Sequence, residues 1–107
     1  MASTPETIRW IVEQLRPLDV HTRAMFGEYG LYCDGVFVGV VCHDTLFLKR
    51  NTATDEVLGT DRLAPPYDGA RDHHVVPDAL LRADDALVRR AVSGAAEVLP
   101  PPRRRRR

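Results

Sequence analysis

Ile8, Ile11, Val12 and Leu15 recur at the spacing of one helical stripe, with Arg9, Glu13, Gln14 and Arg16 between them, which predicts an N-terminal amphipathic helix. The string Ser3-Thr4-Pro5-Glu6 reads as its start: Ser3 is the expected N-cap, Glu6 stands three residues on, and Pro5 lies near the first helical position, where a missing N–H is harmless. Pro17 is the expected stop. From Val20 to Arg50 the pattern changes to short β-rich runs separated by glycine and two-residue turns, the mark of an antiparallel meander. Asp34-Gly35 is the strongest local signal. It is flanked by Gly30-Leu31-Tyr32-Cys33 and by Val36 to Cys42, and both of its residues tolerate the positive φ of a type I′ hairpin. A turn near His43-Asp44 leads into Thr45 to Arg50, where weak alternation predicts a strand covered on both faces.

The second half returns to helix. Polar starters from Asn51 precede Glu56-Val57-Leu58-Gly59, a short helix closed by a glycine suited to the left-handed cap. Ala64 to Gly69 is a turn-rich loop, His73-His74-Val75-Val76 one more strand, and Pro77 its end. A single turn follows at Asp78 to Leu81. Asp84-Asp85 then caps a longer helix carrying Leu87, Val88, Ala91, Val92, Ala95 and Leu99 at helical spacing. The expectation is an α+β domain over 1–99, with about five antiparallel strands between N-terminal and C-terminal helices, followed by a disordered Pro/Arg tail over 100–107.

Charge changes the picture in one respect. Lys plus Arg and Asp plus Glu both number 15, but Arg103 to Arg107 supply five of the cations, so the body is acidic, ten against fifteen. A duplex-binding domain carries its basic residues on a folded face; here they gather on a tail. The N-terminus has no signal-peptide pattern and no apolar run reaches the ~20 residues of a membrane span, so a cytoplasmic protein is expected. Cys33 and Cys42 fall in adjacent strands. They bridge only if the hairpin register sets them opposite one another, and are otherwise buried thiols in a reducing compartment.

Met25-Phe26-Gly27-Glu28-Tyr29-Gly30-Leu31-Tyr32, then Asp34-Gly35, then Asp44-Thr45-Leu46-Phe47-Leu48-Lys49, resemble the N-terminal domain of the TfoX/Sxy family. The Tyr67 loop, the Val75-Val76-Pro77 step and the closing helix follow in that family's order. The resemblance implies a secretion-chaperone-like fold and a role linked to regulation of bacterial competence genes. It also implies a stand-alone form, because family members carry a C-terminal helical domain for which these residues leave no room. Folds of this kind associate, which makes a homodimer through sheet edges an expected option.

Candidate chemistry is sparse. Glycine in Met25-Phe26-Gly27 permits a bulge or close backbone approach between strands, an architectural reading, with a ligand or partner surface formed with Glu28 and Tyr29 as its alternative. Lys49 closes a strand, and Tyr67 stands in a loop able to fold back over it. With Glu28 and Tyr29 they form a candidate patch for a partner, an anion or a peptide carboxylate. His73 and His74 are adjacent in a strand and so point to opposite faces, which argues against a shared metal. Cys42 and His43 should diverge for the same reason, and Ser3 and Ser93 occupy no nucleophile elbow. No phosphate loop or dinucleotide fingerprint is present. The expectation is therefore a non-enzymatic regulatory or adaptor module with no cofactor and no metal, working through protein contacts. The alternative is weak, sequence-blind nucleic-acid binding through Arg103, Arg104, Arg105, Arg106 and Arg107.

Overall fold

The computed structural model describes residues 3–25 and 27–100; Phe26 and the tail arginines Arg103 to Arg107 lie outside the described residues. Helix α1 spans Pro5–Gln14, and strands β1 (Val20–Met25), β2 (Glu28–Cys33), β3 (Val36–Cys42) and β4 (Thr45–Lys49) follow as a meander. Then come α2 (Thr52–Leu58), a two-residue strand β5 (Leu63–Ala64), β6 (His73–Val76), α3 (Asp78–Ala83) and α4 (Asp85–Val98). The strands form one antiparallel sheet in the order β1-β2-β3-β4-β6-β5. This is an α+β fold; the sixth strand is the short β5, in a stretch where no strand is expected from the pattern.

Asp34 and Gly35 both take positive φ, 52° and 81°, and close β2 onto β3 as the dipeptide predicts. His43 and Asp44 do the same for β3 and β4, at 52° and 59°, without a glycine. The α1 N-cap is Thr4, whose side chain accepts from the Thr7 N–H, and not Ser3. Ser3 is instead buried and bonded across the fold, and Pro5 occupies the first turn. Helix α2 is closed by a capping box between Asn51 and Thr54 and ends at Gly59 (φ 74°). Asp84 caps α4 through the Leu87 N–H.

Register assigns the two faces of the sheet. Across the middle, Leu31, Gly39, Leu48 and His74 form one row of cross-strand neighbours, and Gly30, Val40, Phe47 and Val75 form the next, on the opposite face. The Leu31 and Leu48 face meets Ile8, Ile11 and Leu15 from the α1 end, Leu81 of α3, and Val88, Ala91, Val92 and Ala95 of α4, in one core. Helix α2 packs on α4, where Gly94 admits Ala53. Gly39 has the same role in the sheet: a Cβ there would run into the Phe47 carbonyl oxygen and Leu48. Burial on both faces belongs to β3, nearly all of which is buried, and not to β4, which alternates.

Candidate functional site

The helices cover one face of the sheet and leave the other open. On the open face a row of side chains leans across the strands: His21 stacks on Tyr32 at 5.2 Å between centroids, Tyr32 meets Phe37 at 5.2 Å, and the Lys49 ammonium lies 4.6 Å from the Phe37 ring centroid. Gly30 makes the crossing possible. A Cβ there would approach the Met25 methyl to 2.9 Å and the Phe37 ring to 3.0 Å, so glycine lets these two side chains close over β2.

Beside this row the loop after β5 folds back over the sheet and encloses a groove of about 910 Å³. Its floor is Met25, Phe37, Val40 and Cys42; its rim is Gly27, Glu28, Tyr29, His43, Pro66 and Tyr67. Pro66 is buried under the loop while Tyr67 is 59% exposed at the lip. The groove therefore joins the β1–β2 turn, the β3–β4 turn and the 65–67 loop, segments distant in sequence. Gly27 (φ 80°) serves the tight turn between Met25 and Glu28. It makes no close backbone approach; the bulge lies instead where β2 and β3 shift register after Leu31.

Glu28 ties the end of the groove together. Its Oε1 accepts from the Ser3 N–H (3.0 Å) and hydroxyl (2.8 Å), and its Oε2 accepts from the His43 N–H (3.0 Å). The Asp44 N–H donates to the Ser3 hydroxyl (2.9 Å), and the Thr4 N–H to the Asp44 carboxylate (2.8 Å). A left-handed conformation at two ordinary residues, which costs on the order of 1 kcal/mol each, is thus held by a closed network. Burial pulls the Glu28 carboxyl upward, but the backbone N–H of His43 and the Ser3 donors outweigh it and leave its pKa below the ordinary 4.5. Beneath it, burial and then the Glu28 charge raise the Cys42 thiol, the reverse of what a nucleophile needs. Cys33 is pushed up to about 11 by burial, with Asp34 and Asp19 beside it. The two thiols are free: Cys33 sits opposite Val36 and Cys42 opposite Thr45, so the register does not face them.

Of the patch read from the sequence, Glu28, Tyr29 and Tyr67 all line the groove, Tyr29 while also packing against the core beside Val41, and Lys49 does not line it. Lys49 reaches the groove only through Phe37, and otherwise lines a second depression at the end of β4. The histidines diverge. His74 is buried on the core face with its Nε2 2.8 Å from the Asp55 carboxylate, while His73 stands opposite Lys49 on the open face. Burial raises the Asp55 carboxyl, yet its bonds to Arg50 and then His74 bring it below 3.8. Among the described residues no cluster of His, Cys, Asp or Glu has the geometry to hold a metal, and no helix is long and apolar enough to cross a membrane.

Sequence reasoning missed the floor residues Phe37, Val40 and Cys42. The available signal was the run Val36 to Cys42 itself, seven residues without one polar side chain, which marks a strand with apolar groups on both faces.

The family described as TfoX N-terminal domain matches residues 13–97 of the chain. Among curated proteins, the chain is 36% identical over 84 residues to an uncharacterized 12.7 kDa protein in the trpE 5′ region of Spirochaeta aurantia; the match covers 78% of this chain and 73% of that protein.

Proposed function

The chain belongs to the TfoX N-terminal domain family, and from that premise we propose that it is a regulatory or adaptor module that works by docking a protein segment, without catalysing a reaction, in control of the competence type. The observation that carries this reading is the apolar groove on the open sheet face, with Tyr67 exposed at its lip. An exposed aromatic beside an apolar floor is the composition of an anchor pocket for one or two large side chains. The groups that line it support binding more than turnover: the Glu28 carboxylate is spent on three backbone and hydroxyl donors, and the Cys42 thiol is buried and raised.

The test compares the wild-type chain with Tyr67→Glu and with Met25→Glu as baits in a nuclease-treated native lysate, with circular dichroism to confirm that each bait is folded. Proteins retained by the wild type and lost from both variants are the expected result. A retained set that ignores both substitutions would overturn the reading.

A further inference from the structure

The two edges of the sheet differ. Strand β5 is two residues long and offers a further strand very little to pair with. Strand β1 is six residues long and pairs with β2 in unbroken register over all of them. A long edge of this kind is a template for another chain, and natural sheets blunt it with proline, lysine or a bulge. Among its residues, Val20-His21-Thr22-Arg23-Ala24-Met25, β1 has none of these.

Alternation fixes which backbone groups of β1 are left over. The Asp34 N–H donates to the Asp19 carbonyl at 2.9 Å, one step beyond the ladder, so odd-numbered residues bond to β2 and even-numbered ones turn their N–H and C=O outward. The Val20 N–H is taken by the Leu18 carbonyl at 3.0 Å. The Val20 carbonyl, and both backbone groups of Thr22 and of Ala24, have no hydrogen-bond partner among the described residues.

The charges along this edge are also unmatched. Arg23 is exposed and has no carboxylate within ion-pair distance among the described residues. Asp19 is exposed as well, and its strand neighbour is a second acid, Asp34. One cation and one anion, four residues apart on an open edge, complement the same pair on a strand that runs the other way.

We infer that β1 is a dimerisation edge: two copies of this chain pair their β1 strands antiparallel about a two-fold axis at Thr22, which joins two six-stranded sheets into one. Each Thr22 exchanges its N–H and C=O with Thr22 of the second copy, and each Ala24 N–H reaches the Val20 carbonyl opposite. The half-buried Val20 covers the exposed Ala24 of the second copy. Arg23 comes beside His21 of the second copy and one diagonal step, about 7–8 Å, from its Asp19, within the reach of a long side chain, so the ion pair forms twice. An axis at Arg23 would set arginine against arginine, and charge selects against it. With one open edge per chain the contact is isologous and closes at two copies.

Pairing over about five residues a side makes a small interface of the weak, reversible class. Met25 is the residue of β1 that lines the docking groove, so pairing at Val20 to Ala24 and docking at the groove can fail independently.

Sedimentation equilibrium of the full chain from about 10 μM to about 1 mM, at about 50 mM salt, is compared with that of Thr22→Pro, Arg23→Asp and Asp19→Arg/Arg23→Asp. The wild type is expected to pass from monomer to dimer with no larger species. Thr22→Pro removes a donor that β2 does not use, once in each copy, and is expected to be monomeric throughout. Arg23→Asp leaves only acids facing one another and should weaken association at least about fivefold; the double exchange rebuilds the pairs with their signs reversed and should restore it. Thermal midpoints check folding, and the charge exchange supplies the reading if Thr22→Pro is perturbed. A wild type that is monomeric at about 1 mM, a dimer that persists in folded Thr22→Pro, or a double exchange no tighter than Arg23→Asp overturns the proposal. So does a monomeric wild type that captures another protein through this edge, lost in Thr22→Pro, since the strand would then serve a different partner.

Discussion

On the helix-covered face of β3 and β4, Val38, Val41, Leu46 and Leu48 are buried to within 1% of complete, whereas on the open face of the same strands Phe37, Phe47 and Lys49 remain half-buried. The first face is filled by helices brought from both ends of the chain, so each methylene there has neighbours on every side. Among the described residues, the second face is covered by its own side chains leaning on one another and by one loop. A sheet with one sealed and one open face can spend the sealed face on stability and leave the other to binding, because side chains alternate between them everywhere but at the β3 irregularity opposite Leu31 and Tyr32.

Substitutions on each face test that division. Leu48→Ala removes fully buried atoms from the sealed face and is expected to lose about 3 kcal/mol in urea unfolding, within the range for cavity-forming changes. A loss under about 1 kcal/mol would mean the helices do not seat as described. Gly39→Ala is expected to cost about 2 kcal/mol, because the added methyl meets backbone and cannot be relieved by a rotamer change.

Glu28→Gln probes the seam between the faces. Loss of a carboxylate that accepts three hydrogen bonds is expected to destabilise by about 1–2 kcal/mol near neutral pH. Folding lowers this carboxyl's pKa, so its contribution is complete well above 4.5, where folded and unfolded chains are both deprotonated, and is lost as pH falls through the folded value below 4.5. The wild type and the variant should therefore converge in stability at acid pH; a gap that persists there would assign the effect to packing. Tyr67→Ala sits at the other extreme. With the residue 59% exposed, the change should alter stability by less than about 0.5 kcal/mol while weakening capture at the groove. A large loss of stability would make the loop part of the core, and the open face would no longer be free for a partner.

Local signals were legible in the residues. Asp34-Gly35 specified its hairpin because the required φ is a property of the dipeptide; the α4 stripe and the strand His73 to Val76 were readable because period and boundaries lie within a few residues. The N-cap was misplaced by one residue, since Ser3 and Thr4 are both good caps and only the long-range pull of Glu28 on Ser3 separates them. The candidate patch was half legible. Tyr67 and Glu28 do line one groove, but whether Lys49 joins them depends on which side of Phe37 it lies, and that is fixed by the register of β4 on β3.

The α+β character, the turns, the helix caps within a residue, the acidic body and the arginine run follow from the residues alone, because each depends on backbone preferences or charge counted over short stretches. Long-range packing was needed to bring three cations to the β4 end and the approach to β6, to fold a loop down beside the β1–β2 turn as the wall of a groove, and to hold Cys33 and Cys42 apart. Those outcomes require strands distant in sequence to be set in one register, and a shift of a single residue in that register would send every one of these side chains to the other face.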